Sequence, residues 1–206
     1  VIGDPIEHTL SPCMHNAAFE ALGLDYVFLA FKVKPAGVAD AVNGMRALNI
    51  RGLNVTMPHK HTVMKNLDRI DLSAQLIDSV NTILNKENLL FGFNTDGVGA
   101  VKALKENGVE LKGRKVLLLG AGGAARAIAY AMAKEADELA VLNRTVKQAQ
   151  ALARLLEKSA NKKIASGSLS PSDVQKNLQD SDILINATSI GMKPRTEETP
   201  VPPKLL

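Results

Sequence analysis

The stretch Lys115-Val-Leu-Leu-Leu-Gly-Ala-Gly-Gly-Ala-Ala-Arg-Ala127 leaves this chain few ways to fold. Val116 to Leu119 is a short, fully apolar run, the pattern of a strand buried on both faces of a parallel sheet. It passes directly into Gly120-Ala121-Gly122-Gly123-Ala124-Ala125 and an alanine-rich helical stretch, Ala124 to Lys134. Strand, glycine turn and helix start, in that order, are the setting in which glycines cradle a pyrophosphate. The backbone approaches closely, and the helix N-terminus offers N–H groups and partial positive charge. Ala125 stands where the third glycine usually is, an allowed variant. An ordinary strand-to-helix turn would use the same glycines, so the end of the next strand has to decide between the two.

Glu138 to Asn143 reads as that strand, ending some twenty residues on, where an Asp or Glu ordinarily binds a ribose 2′-hydroxyl. Here stand Asn143, Arg144 and Thr145, with Lys147 close behind. A carboxylate would repel a 2′-phosphate, whereas a guanidinium grips one in a fork of charge-assisted hydrogen bonds. This pattern points to NADP(H) rather than NAD(H); the competing reading makes Arg144 a solvated residue at a helix start. Val146 to Glu157 is then a helix, Asn161 to Ser168 a weak strand, and Ser170 to Leu178 a capped helix. Asp182 to Asn186 is a buried strand ending in Ala187-Thr188-Ser189, polar residues again at the cofactor edge. The second half is one Rossmann-like unit with a parallel sheet.

The 206 residues suffice for one large or two small domains. A net charge of +4 without a basic cluster, and 3% aromatics without Trp, argue against nucleic acid as a partner. The one cysteine, Cys13, excludes an intrachain disulfide framework and fits a reducing compartment, here read as the cytoplasm. No apolar run reaches membrane length, and no metal-ligand spacing is visible. Both ends look cut: Val1-Ile2-Gly3 reads as the end of a strand, and Pro200 to Leu206 stops after a proline-rich loop.

The first half reads β-α-β-α-β. Ser11 before Pro12 predicts a capped helix with Met14, Ala17, Ala18 and Leu22 facing a core. Tyr26 to Val33 is strand-like, Pro35 to Leu48 helical with Val38, Val42, Met45 and Leu48 inward, and Ile50 to Val55 a strand. Asn54-Val-Thr56-Met-Pro58-His59-Lys60 comes at that strand's C-terminal end, where open parallel sheets bind ligands, and precedes an expected Pro-started helix. Thr9 and Ser11 either present hydroxyls to a polyol or carboxylate or merely cap. Lys60 is either a solvated charge or a proton donor to a developing oxyanion. Asp68 to Asp78 reads as a helix with Leu72, Leu76 and Ile77 inward, and two strands joined at Asn85 to Asn88 form a hairpin. Asp96 is placed to cap a helix from Gly99 to Glu106. The domains are accordingly 1–98, for substrate and catalysis, and 99–206, for the dinucleotide.

Several of these segments together resemble the shikimate dehydrogenase family. Gly3-Asp-Pro-Ile-Glu-His8-Thr9-Leu-Ser11-Pro-Cys-Met-His15-Asn16 is similar to its opening motif, and Asn54 to Lys60 to its catalytic lysine segment. Val80-Asn81-Thr82 and Asn94-Thr-Asp96-Gly97 resemble two further substrate segments. Gly120 to Ala125, Asn143-Arg-Thr145 and Asn186 to Gly191 resemble its NADP-binding half. The resemblance runs the length of the chain in the expected order. It implies NADP-linked, reversible reduction of 3-dehydroshikimate to shikimate in aromatic amino acid biosynthesis. Lys60 and Asp96 would be the catalytic pair, and Thr9 and Ser11 would hold the substrate carboxylate. Asn54, Thr56 and Asn81 would serve the ring hydroxyls. Gly120, Ala121, Gly122, Gly123, Ala124, Asn143, Arg144, Thr145, Lys147 and Thr188 would bind NADP. The partner is a small molecule, with no nucleic acid, membrane or metal, and the protein a monomer or homodimer.

The chain also departs from the family. Thr9 replaces a usual serine, Asp78-Ser79 a glycine-alanine pair, and Gln148 an arginine that assists the 2′-phosphate. The family's later tyrosine-bearing segment, substrate glutamine and final helices have no counterpart here. A quinate/shikimate dehydrogenase with relaxed cofactor choice, and a non-catalytic ligand-sensing homologue, are the competing readings.

Overall fold

Ile83, Asn85, Leu90 and Gly92 turn inward and alternate with exposed or half-buried neighbours from Thr82 to Phe93, the period of two of an antiparallel hairpin, β5 (Thr82–Lys86) and β6 (Leu89–Phe93). Its two-residue turn, Glu87-Asn88, has φ of 54° and 64°, the mirror-image turn whose twist matches that of the strands. The hairpin belongs to the first of two units into which this computed structural model divides, between Asn94 and Thr95. Residues 1–192 and 196–205 are described.

In the first unit come β1 (Ile2–Gly3), α1 (Ser11–Ala21), β2 (Phe31–Lys32), α2 (Val38–Ala47), β3 (Gly52–Asn54), β4 (Arg69–Ile70) and α3 (Leu72–Ile77), then the hairpin. The strands order β3-β5-β6-β4, and a parallel bridge from Ile2 to Val55 carries the pairing on to β1 and β2. Ile2, Val38, Val42, Met45, Val63, Val80, Ile83 and Leu90 make the core between this sheet and α2.

Several elements differ from the sequence expectation. The α1 stripe is exposed, Met14 by 62% and Leu22 by 71%, because the helix docks through another face. Asn16 clasps the Phe28 backbone, its Nδ2 donating to the carbonyl at 3.0 Å and its Oδ1 accepting from the N–H at 2.7 Å. His15 stacks on the Phe28 ring at 4.3 Å. Ser11 is the first helical residue and not the cap; Leu10 occupies the cap position. The strand expected over Tyr26 to Val33 is limited to Phe31–Lys32, the residues that Ile2 and Gly3 can pair. Leu48 lies past the end of α2 and is exposed.

No single helix spans Asp68 to Asp78. The Asp68 carboxylate takes the Leu90 N–H at 2.7 Å, Arg69 and Ile70 then pair beside β6 as β4, and Asp71 caps α3 through the Ser73 N–H. Leu72, at the outer start of α3, is exposed, whereas Ile77 is buried. After Lys60 comes a 3₁₀ helix, Thr62–Asn66, and not a Pro-started α-helix: Pro58 sits in a turn closed by His59 N–H on the Thr56 carbonyl at 3.0 Å.

The second unit runs α4 (Asp96–Glu106), β7 (Lys115–Leu119), α5 (Gly123–Glu135), β8 (Glu138–Asn143), α6 (Val146–Ala160), β9 (Ala165–Ser168), α7 (Pro171–Gln179) and β10 (Ile183–Asn186). Its sheet is parallel in the order β10-β7-β8-β9, with the glycine-flanked strand inside. Val116, Leu117, Leu118 and Leu119 are buried against helices on both faces, as a continuous apolar run requires. Ser170 caps α7 by accepting the Asp173 N–H at 3.2 Å. The helix expected from Gly99 starts earlier, at Asp96, with Thr95 at the cap position. Asp96 is thus a first-turn residue rather than the cap, and it falls with the second unit. Glycine's poor helix propensity at 97 is overridden by packing of α4 along α5.

Candidate active site

Parallel strands carry their carboxyl ends to one edge, and in the second unit that edge collects the glycine turn, Arg144 and Thr188. Gly120 continues the ladder by donating to the Leu142 carbonyl at 2.7 Å. Its φ is +115°, and a Cβ there would lie 2.8 Å from the Ala187 carbonyl oxygen at the end of β10. Only glycine fits. A Cβ on Gly122 would meet nothing within 4 Å, so that face lies open to a ligand. Arg126 N–H donates to the Gly122 carbonyl at 2.9 Å and opens the α5 ladder. Helix geometry leaves the N–H groups of Gly123, Ala124 and Ala125 without an intrahelical acceptor. Together with the helix dipole they form an anion site.

Asn143 Nδ2 donates to the Thr145 carbonyl at 3.1 Å and to Gln148 Oε1 at 2.9 Å, which fixes the turn from β8 into α6. Arg144 and Thr145 lie on that turn and Lys147 in the first turn of α6, the arginine and the lysine exposed. Beyond β10, Asn186 Oδ1 accepts from both the N–H and the hydroxyl of Thr188, at 3.0 and 2.7 Å, and Thr188 Oγ1 accepts the Ile190 N–H at 3.1 Å. The open glycine turn, the N–H groups of the first turn of α5 and two cations without a carboxylate between residues 143 and 147 fit a pyrophosphate and a 2′-phosphate.

In the first unit the polar residues gather where β3 ends. Asn54 Nδ2 donates to the Asn81 carbonyl at 3.4 Å and to Thr82 Oγ1 at 3.3 Å, and Thr82 Oγ1 donates to Asn81 Oδ1 at 2.9 Å. Val55 N–H shares the Asn81 carbonyl at 2.8 Å. The Lys60 carbonyl accepts the Val80 N–H at 2.8 Å, which ties the lysine's turn to this cluster. His59, 1% exposed, bonds the Val33 carbonyl through Nε2 at 2.7 Å. Asp4 N–H reaches the Met57 carbonyl at 3.0 Å, and Thr56 N–H the Ile2 carbonyl at 2.9 Å. The loop carrying Thr9 and Ser11 is therefore laced to the one carrying Thr56 and Lys60. Thr9 and Ser11 place their hydroxyls 3.2 Å apart, and Thr9 Oγ1 also accepts the Ser11 N–H at 3.3 Å.

Asn54, Asn81 and Lys60 are thus brought together through this network. Thr82, part of the substrate-like segment Val80-Asn81-Thr82 but without an assigned role in the sequence, belongs to the same cluster. Asp78, which replaces a small residue, adopts φ 57° at the end of α3 and bonds His61 Nδ1 at 2.8 Å. Among the described residues, no group of three or more His, Cys, Asp or Glu is arranged to hold a metal ion. No described helix is long and apolar enough to cross a membrane.

A parallel β10-β7-β8-β9 sheet with an open glycine turn at its carboxyl edge defines a Rossmann-type dinucleotide-binding protein. Residues 1–83 match the profile described as shikimate dehydrogenase substrate binding domain, and residues 102–198 that described as shikimate / quinate 5-dehydrogenase. The chain belongs to the shikimate dehydrogenase family. It is 48% identical to a shikimate dehydrogenase (NADP(+)) of Thermococcus kodakarensis, over the whole of this chain and 72% of the relative. A crystal structure of a shikimate dehydrogenase in complex with NADP+ is similar at TM-score 0.93 and 46% identity, covering 100% of this chain and 71% of the other. The Thermus thermophilus enzyme in complex with NADP(H) and shikimate is similar at TM-score 0.87 and 36% identity, covering 100% of this chain and 73% of that one.

Proposed function

We propose that this protein is an NADP-dependent oxidoreductase that interconverts 3-dehydroshikimate and shikimate. The observation that carries the reading is the polar cluster of Asn54, Asn81 and Thr82 tied to the Lys60 turn by the Val80 N–H. It ties amides and a hydroxyl to the backbone turn that carries the lysine, residue types that suit a polyhydroxylated ring with a carbonyl. Relatives named as shikimate dehydrogenase (NADP(+)), and solved relatives holding NADP and shikimate, support it.

When bound, NADPH supplies a hydride to the ring carbonyl carbon, and the reverse reaction returns it. Lys60 gives a proton to the carbonyl oxygen as negative charge develops there, and takes it back in the oxidation direction. Asp96 is the second member of the catalytic pair and accepts a hydrogen bond from a ring hydroxyl. Thr9 and Ser11 hold the carboxylate with their hydroxyls, and Asn54, Thr56 and Asn81 hold ring hydroxyls. The N–H groups of Gly122, Gly123 and Ala124 and the Thr188 loop bind the pyrophosphate side of the cofactor. Arg144, with Lys147, Asn143 and Thr145, selects the 2′-phosphate. We place the first unit as the substrate unit and the second as the cofactor unit. A small molecule is the partner, with no role for nucleic acid or membrane, and we place the protein in the cytoplasm as a monomer or homodimer.

A second reading, a quinate/shikimate dehydrogenase with relaxed cofactor choice, rests on Thr9, whose added methyl beside Ser11 changes the fit of a related polyol such as quinate. One steady-state assay separates the two. Oxidation of shikimate and of quinate is measured with NADP+ and with NAD+. Preference for shikimate with NADP+ supports the first reading; equal or better quinate turnover replaces it with the second. Turnover of neither polyol rejects both and favours a ligand-sensing homologue.

A further inference from the structure

We infer that Gly97 is a positioning residue for Asp96, setting where that carboxylate stands relative to the glycine turn of α5. This rests on the proposed role of Asp96. A Cβ on Gly97 would lie 2.2 Å from the Ala127 carbonyl oxygen, 2.9 Å from its carbonyl carbon and 3.1 Å from the Ala131 Cβ. The first two obstacles are backbone of α5, so no side-chain rotation relieves them. Gly97 is buried and is the second residue of α4, next to Asp96. Ala127 lies about one turn into α5, the helix that begins at Gly123. The crossing therefore joins the first turn of the helix bearing Asp96 to the second turn of the helix whose N-terminus bears the anion site. The missing side chain fixes how closely they approach.

Gly99, in the same helix, supplies the control. A Cβ there would meet nothing within 4 Å. The contrast separates close approach from helix propensity, since alanine improves propensity equally at both positions. For an alanine at 97 to reach ordinary contact distance, α4 must move outward by roughly 1 Å, a displacement of the order that costs about a hundredfold in rate when it falls on a catalytic group.

The test uses Gly97→Ala and Gly99→Ala in the full chain, with folding monitored by circular dichroism and NADP+ affinity by fluorescence titration. Gly97→Ala is expected to lower kcat by about 30- to 100-fold per folded molecule, with NADP+ Kd within about threefold of wild type. Gly99→Ala is expected to keep kcat within about twofold. A merely structural role would lower the melting temperature and leave kcat of the folded fraction unchanged. That result overturns the inference, as does an equal loss of cofactor binding. Should Gly97→Ala not fold, Ala131→Val drives a smaller wedge into the same crossing and is expected to lower kcat with NADP+ affinity retained; unchanged kcat there overturns the inference. A crystal structure of whichever variant folds reads the geometry without any assay. An α4 that has not moved relative to the Gly120–Ala125 turn refutes the inference, whereas a displaced α4 in a protein inactive as wild type refutes the proposed reaction instead.

Discussion

The Val80 N–H donates to the Lys60 carbonyl at 2.8 Å. That bond places the backbone of the proposed proton donor one residue from Asn81, whose carbonyl and side chain anchor Asn54 and Thr82. The lysine's turn is thus fixed by main chain, which a change of side chain at 60 leaves in place. Chemistry and scaffold can be separated by mutation here.

Lys60→Ala should reduce kcat by about 10³-fold, within the span removed with a general acid, while NADP+ affinity changes little. Single-turnover kinetics with NADPH and 3-dehydroshikimate measure it. Loss of less than about tenfold, or ~1.4 kcal/mol of barrier, would remove Lys60 from the proton-transfer step.

Arg144→Ala should weaken NADP+ binding by about 10- to 100-fold, the worth of a charge-assisted hydrogen-bond pair, and leave NAD+ binding nearly unchanged. Calorimetric titration of both dinucleotides checks it. An equal loss for the two would mean that the guanidinium does not read the 2′-phosphate.

Gly120→Ala should destabilise the second unit. The positive φ alone costs about 1–3 kcal/mol, and the Cβ would also collide with the Ala187 carbonyl. Thermal unfolding should shift down by about 2–4 °C for each kcal/mol lost. Gly122→Ala, which has open space, should spare stability but weaken dinucleotide binding.

Acid should act partly through Asp68. The Leu90 N–H, then Arg46, hold its carboxyl below the usual carboxylate range. A folded pKa lower than the unfolded one stabilises the protein above about pH 4 and ceases to do so as pH falls through the folded value. Asp68→Ala should therefore unfold earlier than wild type at pH 7, with the gap closing as pH falls through the folded value of Asp68. A gap independent of pH would contradict this account.

The second unit is legible in outline because its signals are local: a fully apolar strand, glycines at its end, an alanine-rich helix. Glu138 to Asn143 reads as a strand and is one, and the polar residues after Asn186 do lie at the carboxyl edge of the sheet. The first unit is less legible because long-range partners decide it. The periodicity of α1 points to Met14 and Leu22, yet the docking face is set by Asn16 bonding a backbone twelve residues away. Asp68 to Ile70 reads as helix alone and becomes strand because β6 offers an edge. Asp96 reads as the cap of a helix from Gly99 because a carboxylate just before a helix start suits that place; what demands glycine at 97 is the nearby Ala127 carbonyl, and no local pattern reveals that.

The strand order brings Ala187 against Gly120, so the floor of the dinucleotide cradle comes from a strand far along the sequence from the glycine fingerprint itself. A nascent chain that has emerged only through α7 already carries the whole glycine fingerprint but has nothing behind it. Until β10 pairs with β7, the fingerprint lacks the carbonyl that holds position 120 to glycine.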